Sequence, residues 1–170
     1  MRCPSCGFDN LIGSDVCDNC GADLAGRDVP EAATSYRGPL LGEHLDELLH
    51  ELNVGQPDVL ESSADVDTAV QLMHSKGSDC VLVVEDGRLV GIFTDRDAVL
   101  KVAGRPVTAR PIAELMTRDP VVPRHDDTIA VAINKMAVGG FRHIPITDDG
   151  RPTGVVTARD VFRHLAATLG

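Results

Sequence analysis

Residues 91–97 read Gly-Ile-Phe-Thr-Asp-Arg-Asp, and residues 154–160 repeat the pattern 63 positions later as Gly-Val-Val-Thr-Ala-Arg-Asp. An acidic turn precedes each copy, Glu-Asp-Gly-Arg at 85–88 and Asp-Asp-Gly-Arg at 148–151. Self-similarity at one fixed spacing indicates a structural unit that the chain builds twice. Because the same polar residues stand at the same place in both copies, we expect two related sites.

The repeat extends well beyond this block. Further pairs match at the same displacement: Glu51-Leu52 with Glu114-Leu115, Pro57 with Pro120, Ala69 with Ala132, Met73 with Met136, and Gly77 with Gly140. Each copy predicts an α+β unit of order β-α-β-β-α. The predicted elements are an extended piece (58–60; 121–122), a helix (66–74; 128–137), a hairpin (81–84 with 89–93; 143–146 with 153–156) and a final helix (95–102; 158–167).

The remainder of the chain divides into shorter segments. Leucines at 41, 45, 48, 49 and 52 recur at helical spacing, which predicts an amphipathic helix that leads into the first repeat. Residues 25–40 mix Gly, Pro, small and charged residues without periodicity, which is typical of a linker. We therefore expect a cysteine-rich segment at 1–24, the linker at 25–40, the first repeat with its leading helix at 41–104, and the second repeat at 105–170.

The composition excludes several classes of protein. The chain has 170 residues and a formal net charge of −10, which argues against sequence-independent binding to nucleic acid, because that binding needs many Lys and Arg side chains. Aromatic residues make up 3%, too few for base-stacking platforms. No apolar run approaches the roughly 20 residues needed to span a membrane, and the N-terminus lacks an apolar signal region. We expect a cytoplasmic protein without membrane contact.

Thr94 and Asp97 stand where a strand passes into a helix, and so do Thr157 and Asp160. A Thr-x-x-Asp pattern at a helix start is typical of a capping box. A ligand site is compatible with that interpretation, because helix starts at the open end of a sheet commonly bind ligands. A carboxylate there is a poor neighbour for phosphate but a good acceptor for the vicinal hydroxyls of ribose. The residues alone therefore favour a ribose-bearing small molecule.

These tandem units, each with a Gly-h-h-Thr-x-x-Asp motif (h, hydrophobic) closing a strand, resemble a CBS-domain pair, or Bateman module. Glu-Leu-Met-Thr at 114–117 and Arg-His-Ile-Pro-Ile at 142–146 add to the resemblance, which covers about residues 41–170. It implies two repeats packed as a pair, a homodimer, and clefts for adenosine-containing ligands such as AMP, ADP or ATP, sometimes S-adenosylmethionine or NAD. The nucleotide-binding residues that it implies are Gly91, Thr94, Asp97, Thr117, Arg142, His143, Gly154, Thr157 and Asp160.

The two copies differ beside this motif. Arg142 and His143 match family positions that commonly face phosphate, whereas the first copy has Asp79 and Cys80 there. The exchange gives the first copy a negative charge and fewer hydrogen-bond donors. We therefore predict that the second Thr/Asp pair binds a nucleotide better than the first.

Other residues near the motif allow two interpretations. Thr117 corresponds to Val54 of the first copy, and we count its hydroxyl with the second site. Arg96 and Arg159 lie in the first turn of the final helices, where each either contacts phosphate or pairs with neighbouring acids on an exposed face. His143 is either a phosphate donor or a packed neutral ring.

Four of the five cysteines form two Cys-x-x-Cys-Gly turns, with ten residues between Cys6 and Cys17. Four thiolates on two tight turns suit tetrahedral Zn²⁺, and the segment resembles the short zinc-ribbon family over residues 1–24. The metal ligands are then Cys3, Cys6, Cys17 and Cys20, and the metal should be the main stabiliser of so short a segment. Disulfides, a rubredoxin-like iron centre and redox-active pairs are the alternatives. Cys80 stands apart and is predicted to be a small buried strand residue.

Together these features predict a cytoplasmic regulatory protein that senses adenine nucleotides and carries a structural zinc ribbon for docking an unknown protein target. No nucleophile–base motif, three-ligand metal site or glycine-rich phosphate loop indicates catalysis. The alternative is a structural or adaptor protein that binds no ligand and acts through the ribbon. Nucleic-acid binding by the ribbon is disfavoured, because residues 1–24 carry Arg2 against four aspartates and the thiolates add negative charge.

Overall fold

The computed structural model describes residues 2–8, 16–17, 19–24, 42–52, 54–104, 109–124 and 127–168. The predicted linker at 25–40 lies outside these residues. The strands within them are β1 (Val59–Glu61), β2 (Cys80–Glu85), β3 (Arg88–Thr94), β4 (Thr117–Arg118), β5 (His143–Asp148) and β6 (Arg151–Thr157). The α-helices are α1 (Gly42–Leu45), α2 (Val66–Lys76), α3 (Asp95–Asp97), α4 (Ile129–Gly139) and α5 (Ala158–Thr168). In this part of the chain, every helix is too short or too polar to cross a membrane.

One compact unit, here the sheet unit, comprises residues 54–122 and 145–155. Its four-stranded sheet has the order β1-β2-β3-β4, with β1 parallel to β2 and the other neighbours antiparallel. Val81 and Val83 of β2 pack in one apolar cluster with Met73 of α2, whereas Cys80 and Leu82 pack in a second cluster. Because side chains alternate along a strand, this continuous apolar run buries both faces of β2.

The predicted hairpins are confirmed in both copies. Asp86 and Gly87 connect β2 to β3 with φ of 51° and 75°, and Asp149 and Gly150 connect β5 to β6 with φ of 47° and 76°. Two successive positive φ values are the signature of a type I′ turn, whose twist matches that of the flanking strands. The Asp-Gly pair therefore fixes each hairpin locally.

The other compact unit, here the ribbon unit, comprises residues 1–53, 123–144 and 156–170. It contains the cysteine-rich segment and the helices α1, α4 and α5, of which α4 contacts both others.

Helix α4 buries the apolar side chains of Ile129 and Ala132 and also the charged side chain of Lys135. Lys135 is 7% exposed, and its Nζ lies 2.9 Å from Oδ2 of Asp127, which is 8% exposed. Sequence reasoning missed this buried ion pair.

The amphipathic helix predicted to lead into the first repeat is wrong for most of its length. Helix α1 ends at Leu45, and only a single 3-10 turn follows, at Leu49–Glu51. The helix is interrupted because the carbonyl of Glu47 accepts a hydrogen bond from the amide of Ile129, at 3.0 Å, at the start of α4. Backbone groups engaged in such distant bonds do not continue the i→i−4 pattern of a helix.

The predicted element order holds in the first copy and differs at the start of the second. No strand is assigned at 121–122 within the described residues; instead Thr117–Arg118 form β4, which pairs with β3 of the first copy. The final helix of the first copy also differs, because α3 passes into a π-helical turn at Ala98–Val102. Its counterpart α5 is α-helical throughout.

Three ionisable side chains meet between α1 and α5. Nδ1 of His44 lies 2.6 Å from Oε1 of Glu47, and Nε2 of His164 lies 2.8 Å from the other carboxylate oxygen. The hydrogen bond with His44, aided by the nearby His164, holds the pKa of Glu47 below its usual range. Glu47 is therefore ionised at neutral pH.

Candidate functional site

Both Thr/Asp pairs form the capping box that their spacing predicts. In the sheet unit, Oδ2 of Asp97 accepts hydrogen bonds from the amide of Thr94 at 3.0 Å and from its hydroxyl at 2.8 Å. In the ribbon unit, Oδ2 of Asp160 accepts the same two bonds from Thr157, at 2.9 and 2.6 Å. Because the cap uses Oδ2 in each box, the other carboxylate oxygen, Oδ1, decides what else each acid can bind.

Lys101 occupies this second oxygen in the sheet unit. The π-helical turn that follows α3 carries Lys101, whose Nζ lies 2.6 Å from Oδ1 of Asp97. The same ammonium group donates to the carbonyl of Leu115 at 2.7 Å. Asp97 is only 8% exposed. A ribose hydroxyl would therefore have to displace an ammonium group from a buried carboxylate.

The second copy has no equivalent of this lysine. The position 63 residues after Lys101 is His164, whose Nε2 lies beside Glu47. Among the residues that the structure describes, none makes a hydrogen bond or ion pair with Asp160 beyond its Thr157 cap. Asp160 is also more accessible than Asp97. Its Oδ1 can accordingly accept the vicinal hydroxyls of a ribose.

Gly91 and Gly154 each allow another segment to approach the motif strand. An added Cβ at Gly91 would collide with Sδ of Met116, and one at Gly154 would lie 2.7 Å from Cγ2 of Val54. Thr117 follows Met116 and begins β4, where it pairs with Ile92 of β3. Sequence comparison did not indicate this pairing with the first motif's strand, and a role of Thr117 in nucleotide binding stays a prediction. Val54 takes the equivalent place beside Gly154.

Arg142 and His143 lie next to the start of α5, as the sequence predicts. The amide of Ala158 donates a hydrogen bond to the carbonyl of Arg142 at 3.0 Å. The first copy makes the same bond from Asp95 to Asp79 at 2.9 Å. The two copies thus share this backbone geometry and differ in the side chains that it positions. Arg142 is exposed and His143 is half-buried.

Cys80 is a buried residue of β2, which confirms the interpretation from sequence. Burial, aided by the neighbouring Asp79, raises the pKa of the Cys80 thiol to about 12, so the thiol is neutral and a poor nucleophile at neutral pH.

Arg96 and Arg159 are both exposed. Phosphate contact by either arginine stays a prediction.

The two Cys-x-x-Cys-Gly turns adopt the same backbone conformation. The amide of Cys3 donates to the carbonyl of Phe8, and the amide of Cys17 donates to that of Ala22, each at 2.8 Å. The glycines that close the turns have φ of 73° and 67°, in the left-handed region that favours glycine. Leu24 is fully buried against Cys3 and Cys17.

These turns bring the four cysteine sulfur atoms within 4.8 Å of one another. Sγ of Cys3 lies 3.7 Å from Sγ of Cys20, and Sγ of Cys6 lies 3.6 Å from Sγ of Cys17. Zn–S bonds of about 2.3 Å in a tetrahedron place sulfur atoms about 3.8 Å apart, whereas a disulfide bond measures about 2.0 Å. The donor atoms and their spacing therefore fit a four-thiolate zinc ion.

Comparison with known proteins extends the sequence resemblance. The family model for the CBS domain matches residues 51–104 and 112–167. An uncharacterized 17.7 kDa protein from the bps2 3′ region of Acidianus ambivalens is 36% identical over 93 residues. That match covers 54% of this chain and 56% of the relative, so the chain matches little more than half of that protein's length.

Solved structures with ligands share the fold. CBSX2 in complex with AMP is similar at a TM-score of 0.60 and 25% identity, covering 69% of this chain and 95% of that chain. The CBS domain pair of protein MJ0100, in complex with 5′-methylthioadenosine and S-adenosyl-L-methionine, is similar at 0.61 and 25% identity, covering 69% and 98%. Each of these neighbours was solved with an adenosine-containing ligand.

Proposed function

The chain belongs to the CBS-domain family, and on that premise we propose that it is a regulatory protein that binds AMP, ADP or ATP at the Thr157–Asp160 motif. Two CBS structures of similar fold contain adenosine-containing ligands, which supports this ligand class. CBS-domain proteins are generally regulatory, and we propose no catalytic role for this chain. Binding would favour one arrangement of the protein over another, because a ligand shifts an equilibrium by its differential affinity.

The observation that carries the proposal is the Oδ1 oxygen of Asp160, which no residue in the described part of the chain engages. Its Oδ2 and the Thr157 hydroxyl hold the carboxylate in a fixed orientation, at 2.6 Å from each other. A preoriented carboxylate with one accessible oxygen accepts hydroxyl groups at little entropic cost. Asp97 has the same cap, but its carboxylate is paired with the ammonium group of Lys101. We therefore assign ribose binding to Asp160 first.

Arg142 and His143 supply donors for phosphate beside the same motif. The hydrogen bond from Ala158 to Arg142 fixes the backbone of this strand start next to α5. A guanidinium group suits phosphate because its donors form a fixed fork. In the first copy, Asp79 would repel a phosphate instead. We therefore expect the first site to be weak, altered in specificity or empty.

A thermal-shift screen of the full-length chain with AMP, ADP, ATP, S-adenosylmethionine and NAD tests the ligand class. We expect at least one nucleotide to raise the melting temperature, since a ligand at about 100 times its Kd adds about 2.7 kcal/mol to the stability of the folded state. Inorganic phosphate at the same concentration is the control for a non-specific anion effect. A melting temperature that no adenosine compound raises beyond the phosphate control would contradict the proposal and favour the adaptor alternative.

We also propose that residues 1–24 form a zinc ribbon, held by Cys3, Cys6, Cys17 and Cys20, that docks a protein target. The sulfur spacing and the paired turn geometry support zinc as the metal. The bound ion would replace the hydrophobic core that so short a segment lacks. We further propose that residues 25–40 are a linker and that the two repeats span 41–104 and 105–170. The proposed location of the protein is the cytoplasm.

Replacing Cys6 by serine should remove the zinc bound by the ribbon, because one thiolate of a tetrahedral set is lost. The measurement is metal analysis by mass spectrometry of the full-length protein after dialysis against a weak chelator. Ser5→Ala is the matched control, since Ser5 is exposed in the same turn and provides no thiolate. A wild-type ribbon that is fully folded without metal would contradict a structural role for zinc.

Exposed apolar residues at one repeated position support a homodimer. Val99 is 67% exposed and Phe162 is 70% exposed, and these residues are 63 positions apart. Large apolar side chains at equivalent exposed positions of both final helices are suited to burial against a second copy.

We therefore expect Phe162→Asp to yield monomers in sedimentation equilibrium, while the wild type sediments as a dimer. Ala167→Asp adds the same charge at an exposed position near the end of α5, away from the apolar position, and should leave the dimer intact. A monomeric wild type, or equal dissociation of both variants, would contradict this interface.

A further inference from the structure

A second group of metal-ligand side chains lies in the ribbon unit, apart from the cysteines. His44 belongs to α1, Glu47 to the bend that follows, and His164 to α5. One ligand atom from each of the three side chains lies within 4.8 Å of the others. His164 is therefore distant in sequence from the other two side chains but converges with them on one point of the fold.

The donor set is that of a transition-metal site. Two imidazole nitrogens and one carboxylate oxygen are ligands that zinc accepts in sites with an open fourth position. Magnesium and calcium prefer oxygen ligands only, so two histidines disfavour them. The side chains of His44, Glu47 and His164 are 33%, 33% and 28% exposed, which leaves solvent access for a water molecule as fourth ligand.

The spacing is compatible with an ion after a small adjustment. Metal bonds of about 2.0–2.2 Å at tetrahedral angles separate ligand atoms by about 3.3–3.5 Å. The Glu47 oxygens now lie 2.6 Å from His44 Nδ1 and 2.8 Å from His164 Nε2. Each contact would lengthen by less than about 1 Å to admit the ion, a change that side-chain torsions alone can supply.

The ring of His164 already faces the other two side chains. Its Nε2 is shielded from solvent and lies 2.8 Å from the Glu47 carboxylate. The carboxylate therefore lies between the two imidazole nitrogens, at hydrogen-bonding distance from each.

We propose that His44 Nδ1, the Glu47 carboxylate and His164 Nε2 bind a divalent transition-metal ion of the zinc class. The ion would link the segment that follows the predicted linker to α5, whose first turn contains Asp160. The site is distinct from the four-thiolate centre and does not depend on nucleotide binding.

Cobalt and zinc titrations of the full-length chain test the proposal. Cobalt held by four thiolates absorbs through sulfur charge transfer, which the His/Glu site lacks, so the two sites are spectroscopically distinct. We expect the wild type to bind one equivalent at the thiolates and a second without a thiolate band. His164→Gln and Glu47→Gln should each lose the second equivalent and keep the thiolate band.

His74→Gln is the matched control, because His74 is exposed on α2 and belongs to neither metal site. It should retain both equivalents. A wild type that binds only the thiolate equivalent would overturn the proposal, whatever the variants do. Unchanged affinity for the second equivalent in both His164→Gln and Glu47→Gln would also overturn it, since the ion would then lie elsewhere.

Discussion

Asp160→Ala will weaken AMP binding by the full-length chain by about 100-fold or more, whereas Asp97→Ala will leave the affinity nearly unchanged. The carboxylate of Asp160 has one oxygen available for two ribose hydroxyls, and hydrogen bonds to a charged group contribute about 1.5–3 kcal/mol each. Two such bonds correspond to about two to four decades in Kd. The carboxylate of Asp97 is paired with Lys101 and makes no comparable contribution.

Asp97→Ala is a well-matched control for this measurement. Both aspartates accept two hydrogen bonds from a capping threonine, so both variants lose the same cap, at a cost of about 0.5–2 kcal/mol, and Asp97→Ala loses the Lys101 pair as well. A difference in affinity between them then reports the ligand and not the helix. Isothermal calorimetry provides the two affinities. Equal losses of AMP affinity in both variants would show that the two motifs bind AMP alike. Pairing with Lys101 would then not prevent Asp97 from binding the ligand.

Asp127→Ala will lower the free energy of unfolding by about 3–5 kcal/mol, because it leaves a buried ammonium group without its carboxylate. Lys135 and Asp127 are 7% and 8% exposed and are joined at 2.9 Å. Without the carboxylate, the ammonium group stays buried beside fewer compensating charges. Asp127 also accepts a hydrogen bond from the amide of Arg124 at 2.9 Å, which the variant loses. Urea denaturation followed by circular dichroism measures the change.

Glu114→Ala provides the contrasting ion pair. Arg110 and Glu114 lie 2.8 Å apart, but their side chains are 41% and 51% exposed, so solvent screens the pair and its loss should cost less than about 1 kcal/mol. The double variant Asp127→Leu with Lys135→Met removes both buried charges and should recover most of the lost stability. A cost for Asp127→Ala as small as that of Glu114→Ala would contradict this account of the buried pair.

The parts of the fold that could be predicted are those fixed by local chemistry. Asp86-Gly87 and Asp149-Gly150 determine the hairpins because successive positive φ values suit these residues. Strand β2 and the two helix starts could be predicted for the same reason, because an apolar run and a capping threonine depend only on residues close in the sequence. The Cys-x-x-Cys-Gly turns could also be predicted locally, because each short turn fixes the spacing of its own two sulfur atoms.

The parts that sequence reasoning missed depend on contacts between distant residues. The leading helix failed because Glu47 bonds to Ile129, and leucine periodicity carries no information about that contact. The pairing of β4, which contains Thr117, with β3 of the first copy was also not anticipated, because it joins segments that belong to different repeats. The Lys135–Asp127 pair joins a helix to the segment before it, and no composition rule indicates that it is buried.

One missed feature did have a signal in the sequence. Comparison of the two copies at a displacement of 63 places Lys101 opposite His164. A lysine four residues after Asp97 on a helix is within reach of its carboxylate, whereas a histidine at the equivalent place can serve another partner. Comparison of the two copies could therefore have identified Lys101 as a further difference between them.

A crystal structure of the full-length chain grown with AMP tests the central claim most directly. The account predicts AMP with its ribose hydroxyls on Oδ1 of Asp160 and its phosphate toward Arg142 and His143, while Lys101 stays paired with Asp97. AMP bound only at Asp97, or crystals without bound AMP at a concentration that saturates binding in solution, would contradict it.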